Sequence, residues 1–254
     1  MMTTVNDIYG YIDSFAPFDT AEKWDNVGVL VGDRDLRVDK AIVSLDITND
    51  VLAEAHDVGA QLVISHHPII FGGIKNVLSD SPVYTAVSYG VTCLCAHTNL
   101  DKSPVFGVNT ELAKAVGLEN CRPGGEGELL FIADTKETTA PGDLAARIKK
   151  NLGMSAVAFT EYNMEINKVG LCSGGGGDEV FAAIKHGCDA FITGEIKHHE
   201  LLAANAAGLS VFILGHYKSE DVVTLPLAKR LGVKFPDVEF MKSEVFSDGV
   251  GVLY

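Results

Sequence analysis

The sequence predicts an α/β protein made of two similar α/β domains with mostly parallel sheets, and three observations carry that prediction. Short β-branched and apolar runs such as "KAIVSLD", "AQLVIS" and "VTCLCA" alternate with helix-like stretches such as "NDVLAEAHDVG", the pattern of strand–helix–strand units. The series Asp50, Ala55, Gly59 and Leu62 to Ser65 recurs as Asp178, Ala183, Gly187 and Ala190 to Thr193, each position shifted by 128. A second echo joins "VTCLCAHTNLD" to "VFILGHYKSE", where His97 and Asp101 meet His216 and Glu220 at an offset of 119. Self-similarity of this kind predicts an internal duplication.

Taken along the chain, residues 1–121 together with 211–254 are expected to form the first α/β domain, which would carry most of the candidate ligands. Residues 122–210 are expected to form the second, opening at "RPGGEGELL" and adding strands at "LLFIAD" and "AVAFTEYN" around the helix-like "GDLAARIKKNL".

Composition excludes several classes. With 254 residues, 47% of them hydrophobic, the chain can build real cores. Its 34 acidic and 20 basic residues give a net charge of -14, which argues against nucleic acid as a partner, since a phosphate backbone needs several cations on one face. Five cysteines, of which only Cys93 and Cys95 lie close together, suggest neither a disulfide framework nor a Cys-x-x-Cys zinc site. No apolar run approaches the ~20 residues of a membrane span, and the N-terminal stretch has no basic and apolar leader. A cytoplasmic setting, with no membrane, is the expectation.

The chemistry gathers at strand ends. His66, His67, His97, Asp101, His216 and Glu220 each follow the carboxyl end of an expected strand, where ligands collect in open α/β sheets. Imidazole and carboxylate without thiolate suit zinc, iron, manganese, nickel or cobalt. Neighbouring residues leaving a strand point in different directions, so His66 and His67 are more naturally shared between two metals than given to one. His216 and Glu220 stand at i and i+4, one face of a helix, and a carboxylate can bridge two cations. The expectation is a pair of divalent metal cations per chain, and paired cations a few ångströms apart acidify a water between them, which is hydrolytic chemistry.

Other features carry less. His198 and His199 in "TGEIKHHE" come four and five positions after Gly194 and do not align with His66 and His67; they are read as cleft-lining or proton-donating groups rather than ligands, and Glu195 likewise. His56 and His186 are read as surface or packing residues. The glycines of "CSGGGGDE" fit either a phosphate-binding turn or a plain tight turn. Trp24, the only tryptophan, in "EKWDNVG", is either a stacking platform for substrate or an N-terminal packing corner.

Read in order, "WDNVGVLVGD", "SHHPIIFGG", "AHTNLD", "TGEIKHH" and "GHYKSE" resemble the successive motifs of the Nif-three-like family, the type-two GTP cyclohydrolase I-like proteins, in its short form without an inserted domain. The resemblance implies a Nif-three-like fold and a homohexamer with metal sites facing an internal cavity. Carried over by residue, it implies metal ligands at His66, His67, Asp101, His216 and Glu220, with Glu220 bridging and His97 beside the metals. It implies a metal-dependent hydrolase acting on a nucleotide or related phosphorylated small molecule, in which Glu220, His97 and His198 would serve catalysis. The alternative is a non-catalytic scaffold for metal delivery or protein interaction. "YKSE" has Ser219 where the family pattern leads one to expect Thr, and the tail "VFSDGVGVLY" lacks an expected Asn-Pro or Asp-Pro.

Overall fold

Strand formation follows the apolar runs. A computed structural model describes residues 2–125, 128–247 and 249; Glu126 and Gly127 of "RPGGEGELL", and Asp248 and 250–254 of the tail, lie outside the described residues. In chain order the strands are β1 (Gly28–Val31), β2 (Lys40–Ser44), β3 (Leu62–Ser65), β4 (Thr92–Cys95), β5 (Glu119–Pro123) and β6 (Phe131–Thr139). They continue as β7 (Ala158–Phe159), β8 (Ile166–Cys172), β9 (Ala190–Thr193), β10 (Ser210–Ile213) and β11 (Glu239–Lys242).

Two compact units result. The first combines the chain up to Ser103 with Val223–Ser247, and the second spans Pro104–Val222. The division therefore falls earlier than the expected boundary at 121, and the expected return to the first domain at 211 falls instead at Val223. The reason is β10, which pairs in parallel with β9 and so carries the following segment, with His216 and Glu220, into the second unit. The echo of "VTCLCAHTNLD" in "VFILGHYKSE" agrees with this placement, since it makes β10 the counterpart of β4.

The first unit has a five-stranded sheet in the order β1-β4-β3-β2-β11. Every pair in it is parallel except β1 with β4. The second has six strands in the order β5-β6-β8-β9-β10-β7, parallel only through β8, β9 and β10 and antiparallel on both flanks. Both are α/β, but "mostly parallel" describes the first sheet better than the second.

The repeat is visible in the topology. β2-β3-β4 and β8-β9-β10 are both parallel ladders in which each strand pairs with the next, with a helix in each crossover. Ser44 pairs with Ser65 in one, and Cys172 with Thr193 in the other, positions 128 apart. The first crossover helix, Asn49–Val58, is capped by Thr48 and stopped by Gly59 at φ 71°. The equivalent helix of the second unit, Val180–Lys185, is followed by Gly187 at φ 63°, a backbone conformation that glycine adopts without steric cost. Because the central strands of each ladder are covered on both faces, β3 and β9 are buried at every position and read as unbroken apolar runs.

Among the described residues no helix is long and apolar enough to cross a membrane. Ile64 in β3 is fully buried. Ile64→Ala should lower the stability of the protein by about 2–5 kcal/mol, read as a shifted denaturant midpoint with an unchanged slope.

Candidate metal centre

The parallel ladder of the first unit continues past its last strand residues. His66 donates its backbone N–H to the Ser44 carbonyl at 3.3 Å, His67 to that of Leu45 at 2.8 Å, and Ala96 to that of Ser65 at 3.0 Å. Three chain segments thus leave the sheet side by side, which sets Asp46 against His67 and Ala96 against His66.

Side-chain contacts follow from that register. His66 Nδ1 lies 3.1 Å from the Ala96 carbonyl. His67 Nδ1 lies 2.9 Å from Asp46 Oδ1, and His97 Nδ1 2.8 Å from Asp25 Oδ1. In each case an oxygen that can only accept fixes the proton on Nδ1 and directs the Nε2 lone pair away from it, the tautomer that a metal-binding imidazole requires. The ligand atoms of His66, His67 and His97 all lie within 4.8 Å of one another. Asp101 joins them, its Oδ1 3.6 Å from His66 Nε2. That is longer than a hydrogen bond and close to the edge, about 3.4 Å, of a tetrahedron of ligands about 2.1 Å from a cation.

Asp25 is the most heavily used of these carboxylates. Its Oδ1 accepts from the Asn26 N–H at 2.8 Å as well as from His97, and its Oδ2 accepts from the Thr98 N–H at 3.1 Å and hydroxyl at 2.5 Å. Burial alone would raise its pKa, but the hydrogen bonds from His97 and Thr98 outweigh it and hold the carboxyl well below the usual carboxylate range. The nearby thiols are buried. Burial pushes Cys95 far up and Cys93 to about 12, and Cys95 Sγ donates to the His66 carbonyl at 3.0 Å.

The second unit repeats the principle. Leu214 and Gly215 donate to the carbonyls of Thr193 and Gly194 at 2.9 and 3.0 Å, and Glu195 to that of Gly174 at 2.9 Å. His216 therefore stands beside Glu195, whose Oε1 lies 2.8 Å from His216 Nδ1. One turn on, in the helix His216–Glu220, Glu220 Oε2 lies 3.0 Å from His216 Nε2, as the i, i+4 spacing predicts. Ser219 ties this helix down: its hydroxyl accepts from the Gly174 N–H at 2.9 Å and donates to the His216 carbonyl at 2.8 Å. The serine found where threonine was expected keeps the hydroxyl that the contact uses.

The glycine run belongs to this packing. A Cβ at Gly174, which sits at φ 58°, would overlap the Glu220 carboxylate, and one at Gly177 would come within 2.5 Å of the Glu195 carbonyl. The glycines let the ligand-bearing segments close on each other. A cavity of 620 Å³ in the same unit is lined by Met154, Glu195, Leu214, His216, Tyr217 and Lys218.

The structure thus brings His66, His67, His97 and Asp101 together in the first unit, and His216 and Glu220 together in the second. His198 is exposed at the start of the helix His198–Ala206, and His199 is exposed beside it. His56 stacks on Tyr89 with ring centroids 4.4 Å apart, and His186 lies 3.5 Å from Glu128. Asp25 and Asp46 were missed as functional residues, although both carried a signal: Asp46 lies just beyond a strand's carboxyl end, and Asp25 stands in the "WDN" motif. Glu195, read as a cleft-lining or proton-donating group, lies against His216 Nδ1.

A family model, DUF34/NIF3 (NGG1p interacting factor 3), matches residues 3–249. The chain belongs to the NIF3 family. A NIF3 relative from Clostridium perfringens, named GTP cyclohydrolase 1 type 2 homolog, is 30% identical over 259 residues, covering 96% of this chain and 97% of that protein. A Staphylococcus aureus relative of the same name aligns at 26% identity over 361 residues, so it carries insertions that this NIF3 chain of 254 residues does not. The crystal structure of the Staphylococcus aureus hypothetical protein SA1388 superposes with a TM-score of 0.91 at 27% identity, covering 100% of both chains.

Two substitutions separate holding a ligand from being one. Asp25→Asn cannot present acceptors to backbone N–H groups on both sides, and should cost about 1–3 kcal/mol of stability together with a 10–100-fold loss of zinc affinity. Asp46→Ala, at a half-exposed side chain, should lose affinity by a similar factor while the unfolding curve barely moves; chelator competition and denaturant titration read the two effects. Gly174→Ala should displace the Glu220 carboxylate and weaken zinc binding without any change to a ligand residue.

Proposed function

We propose that this NIF3 protein is a metal-dependent hydrolase acting on a nucleotide or related phosphorylated small molecule. The observation that carries the reading is that all four candidate imidazoles, His66, His67, His97 and His216, have Nδ1 against an oxygen, three of those oxygens belonging to carboxylates. A set of surface histidines has no reason to share one tautomer; a set of ligands does.

His66, His67, Asp101, His216 and Glu220 would hold two divalent cations as one dinuclear centre, following the family resemblance, with Glu220 shared between them. Cations bound there supply Lewis acidity and lower the pKa of a coordinated water toward neutrality. The chain's own residues do the rest. His97, oriented by Asp25, accepts or returns a proton at Nε2, and Lys218 in the cavity beside His216 pairs with phosphate oxygens. The exposed His198 is given no step. The relatives' name supports a substrate of the GTP class, and the hexamer with inward-facing sites is proposed on the same resemblance.

Glu220→Gln keeps the size of a nearly buried side chain and removes its charge. It should abolish metal-dependent turnover across a panel of nucleotides while the far-ultraviolet spectrum and thermal midpoint stay within a few degrees. Undiminished turnover in that variant would remove Glu220 from the mechanism, and absence of turnover in the metal-loaded native protein on every substrate tried would turn the reading toward metal delivery.

A further inference from the structure

Trp24 and Phe71 are 65% and 64% exposed, an unfavourable placement for two large aromatic side chains whose apolar area would normally be buried. Both stand edge-on to His97. Trp24 has its ring centroid 6.0 Å from that imidazole at an interplanar angle of 77°, and Phe71 5.8 Å at 84°. Phe71 also lies 6.4 Å from His67. The two exposed rings therefore border the histidine cluster of the first unit.

Their backbones are fixed although their rings are not covered. Asp25, next to Trp24, is locked by four hydrogen bonds from Asn26, His97 and Thr98. Asn26 Nδ2 donates to the Ile70 carbonyl at 2.9 Å, which ties the segment carrying Trp24 to the one carrying Phe71. Glu22 anchors the other side, its N–H 2.9 Å from the Thr98 hydroxyl. A packing corner would bury its ring; here the fold presents it.

We propose that Trp24 and Phe71 form a preorganised aromatic platform that stacks the planar heteroaromatic ring of the substrate beside His97. The proposal rests on the metal-dependent hydrolase reading above for the ring's proximity to a reacting centre, and it names the part of a nucleotide that is recognised, the base. Stacking tolerates any planar ring, because each presents a π-face, and rigid aromatic side chains bind with little further loss of freedom. Phosphate alone would gain nothing from this surface.

Trp24 is the sole tryptophan, so emission excited at the red edge, beyond tyrosine absorption, reports this platform alone. The full chain, with and without added zinc, is titrated with guanosine, GTP, ribose 5-phosphate and tripolyphosphate, and zinc content is measured in parallel. Guanosine and GTP should quench the emission saturably, and ribose 5-phosphate and tripolyphosphate should not. Phe71→Ala should weaken guanosine binding between about fivefold and a hundredfold, and Phe71→Tyr should restore it. Zinc retained without quenching by guanosine overturns the platform and leaves the metal centre standing; quenching without zinc retention does the reverse. Quenching by tripolyphosphate equal to that by GTP also overturns it, as does emission that depends on protein concentration and not on guanosine, which would make the rings a subunit contact.

Discussion

Parallel pairing decides which residues leave a sheet side by side, and in both units the pairing runs two residues beyond the last ladder position. The backbone bonds of His66 and His67 to Ser44 and Leu45, and of Leu214 and Gly215 to Thr193 and Gly194, convert strand register into side-chain register. Imidazole and carboxylate are then neighbours before any side chain chooses a rotamer. A one-residue slip would send every one of these groups to the opposite face, so the apolar patterning that fixes the strands also fixes the chemistry at their ends. The buried β3 and β9 are in this sense part of the site.

The duplication supplies two copies of that geometry, and the chain has filled them differently. Shifting by 128 places Asp46 on Gly174, His66 on Gly194 and His67 on Glu195. In the first module the carboxylate leaves from β2 and the imidazole from β3, as Asp46 and His67. In the second the pair has moved over by one strand, with Glu195 beyond β9 and His216 beyond β10. The vacated position on β8 is Gly174, which must be small because Glu220 occupies the space in front of it. Equivalent scaffolds thus give non-equivalent roles, and the shared pair, His97 with Asp101 and His216 with Glu220, aligns at 119 and not at 128 because the connection from β9 to β10 is shorter than that from β3 to β4.

This also explains what the sequence could and could not reveal. The strands, the capped helices and the histidines at strand ends were legible because period, glycine stops and residue type are local properties. Asp25 was legible only as a motif member and not by its role, since its partner His97 lies 72 positions away and no spacing rule connects them. The four glycines were equally ambiguous, because a glycine selected to admit a carboxylate looks the same in sequence as one selected to admit a phosphate. Strand β10 has the same composition whichever sheet it joins; the echo of "VTCLCAHTNLD" in "VFILGHYKSE" points to the second unit, and its pairing with β9 and β7 places it there.

The oxygen partners of the imidazoles bear on which cations the protein can hold. Cys95 lies against the first cluster, where its thiol donates to the His66 carbonyl, and burial raises the pKa of both Cys95 and Cys93. That hydrogen bond commits the Cys95 sulfur to a backbone oxygen, and the Cys93 side chain is buried in the core beside the sheet. What remains is imidazole and carboxylate, each oriented by a second oxygen, a set that suits borderline first-row cations over copper(I) or other soft ions. Orientation by Asp25, Asp46 and Glu195 adds negative charge around the ligands without adding ligands, and that charge favours a divalent cation over a monovalent one through simple electrostatics. The net charge of -14 has the same sign as these three oriented carboxylates.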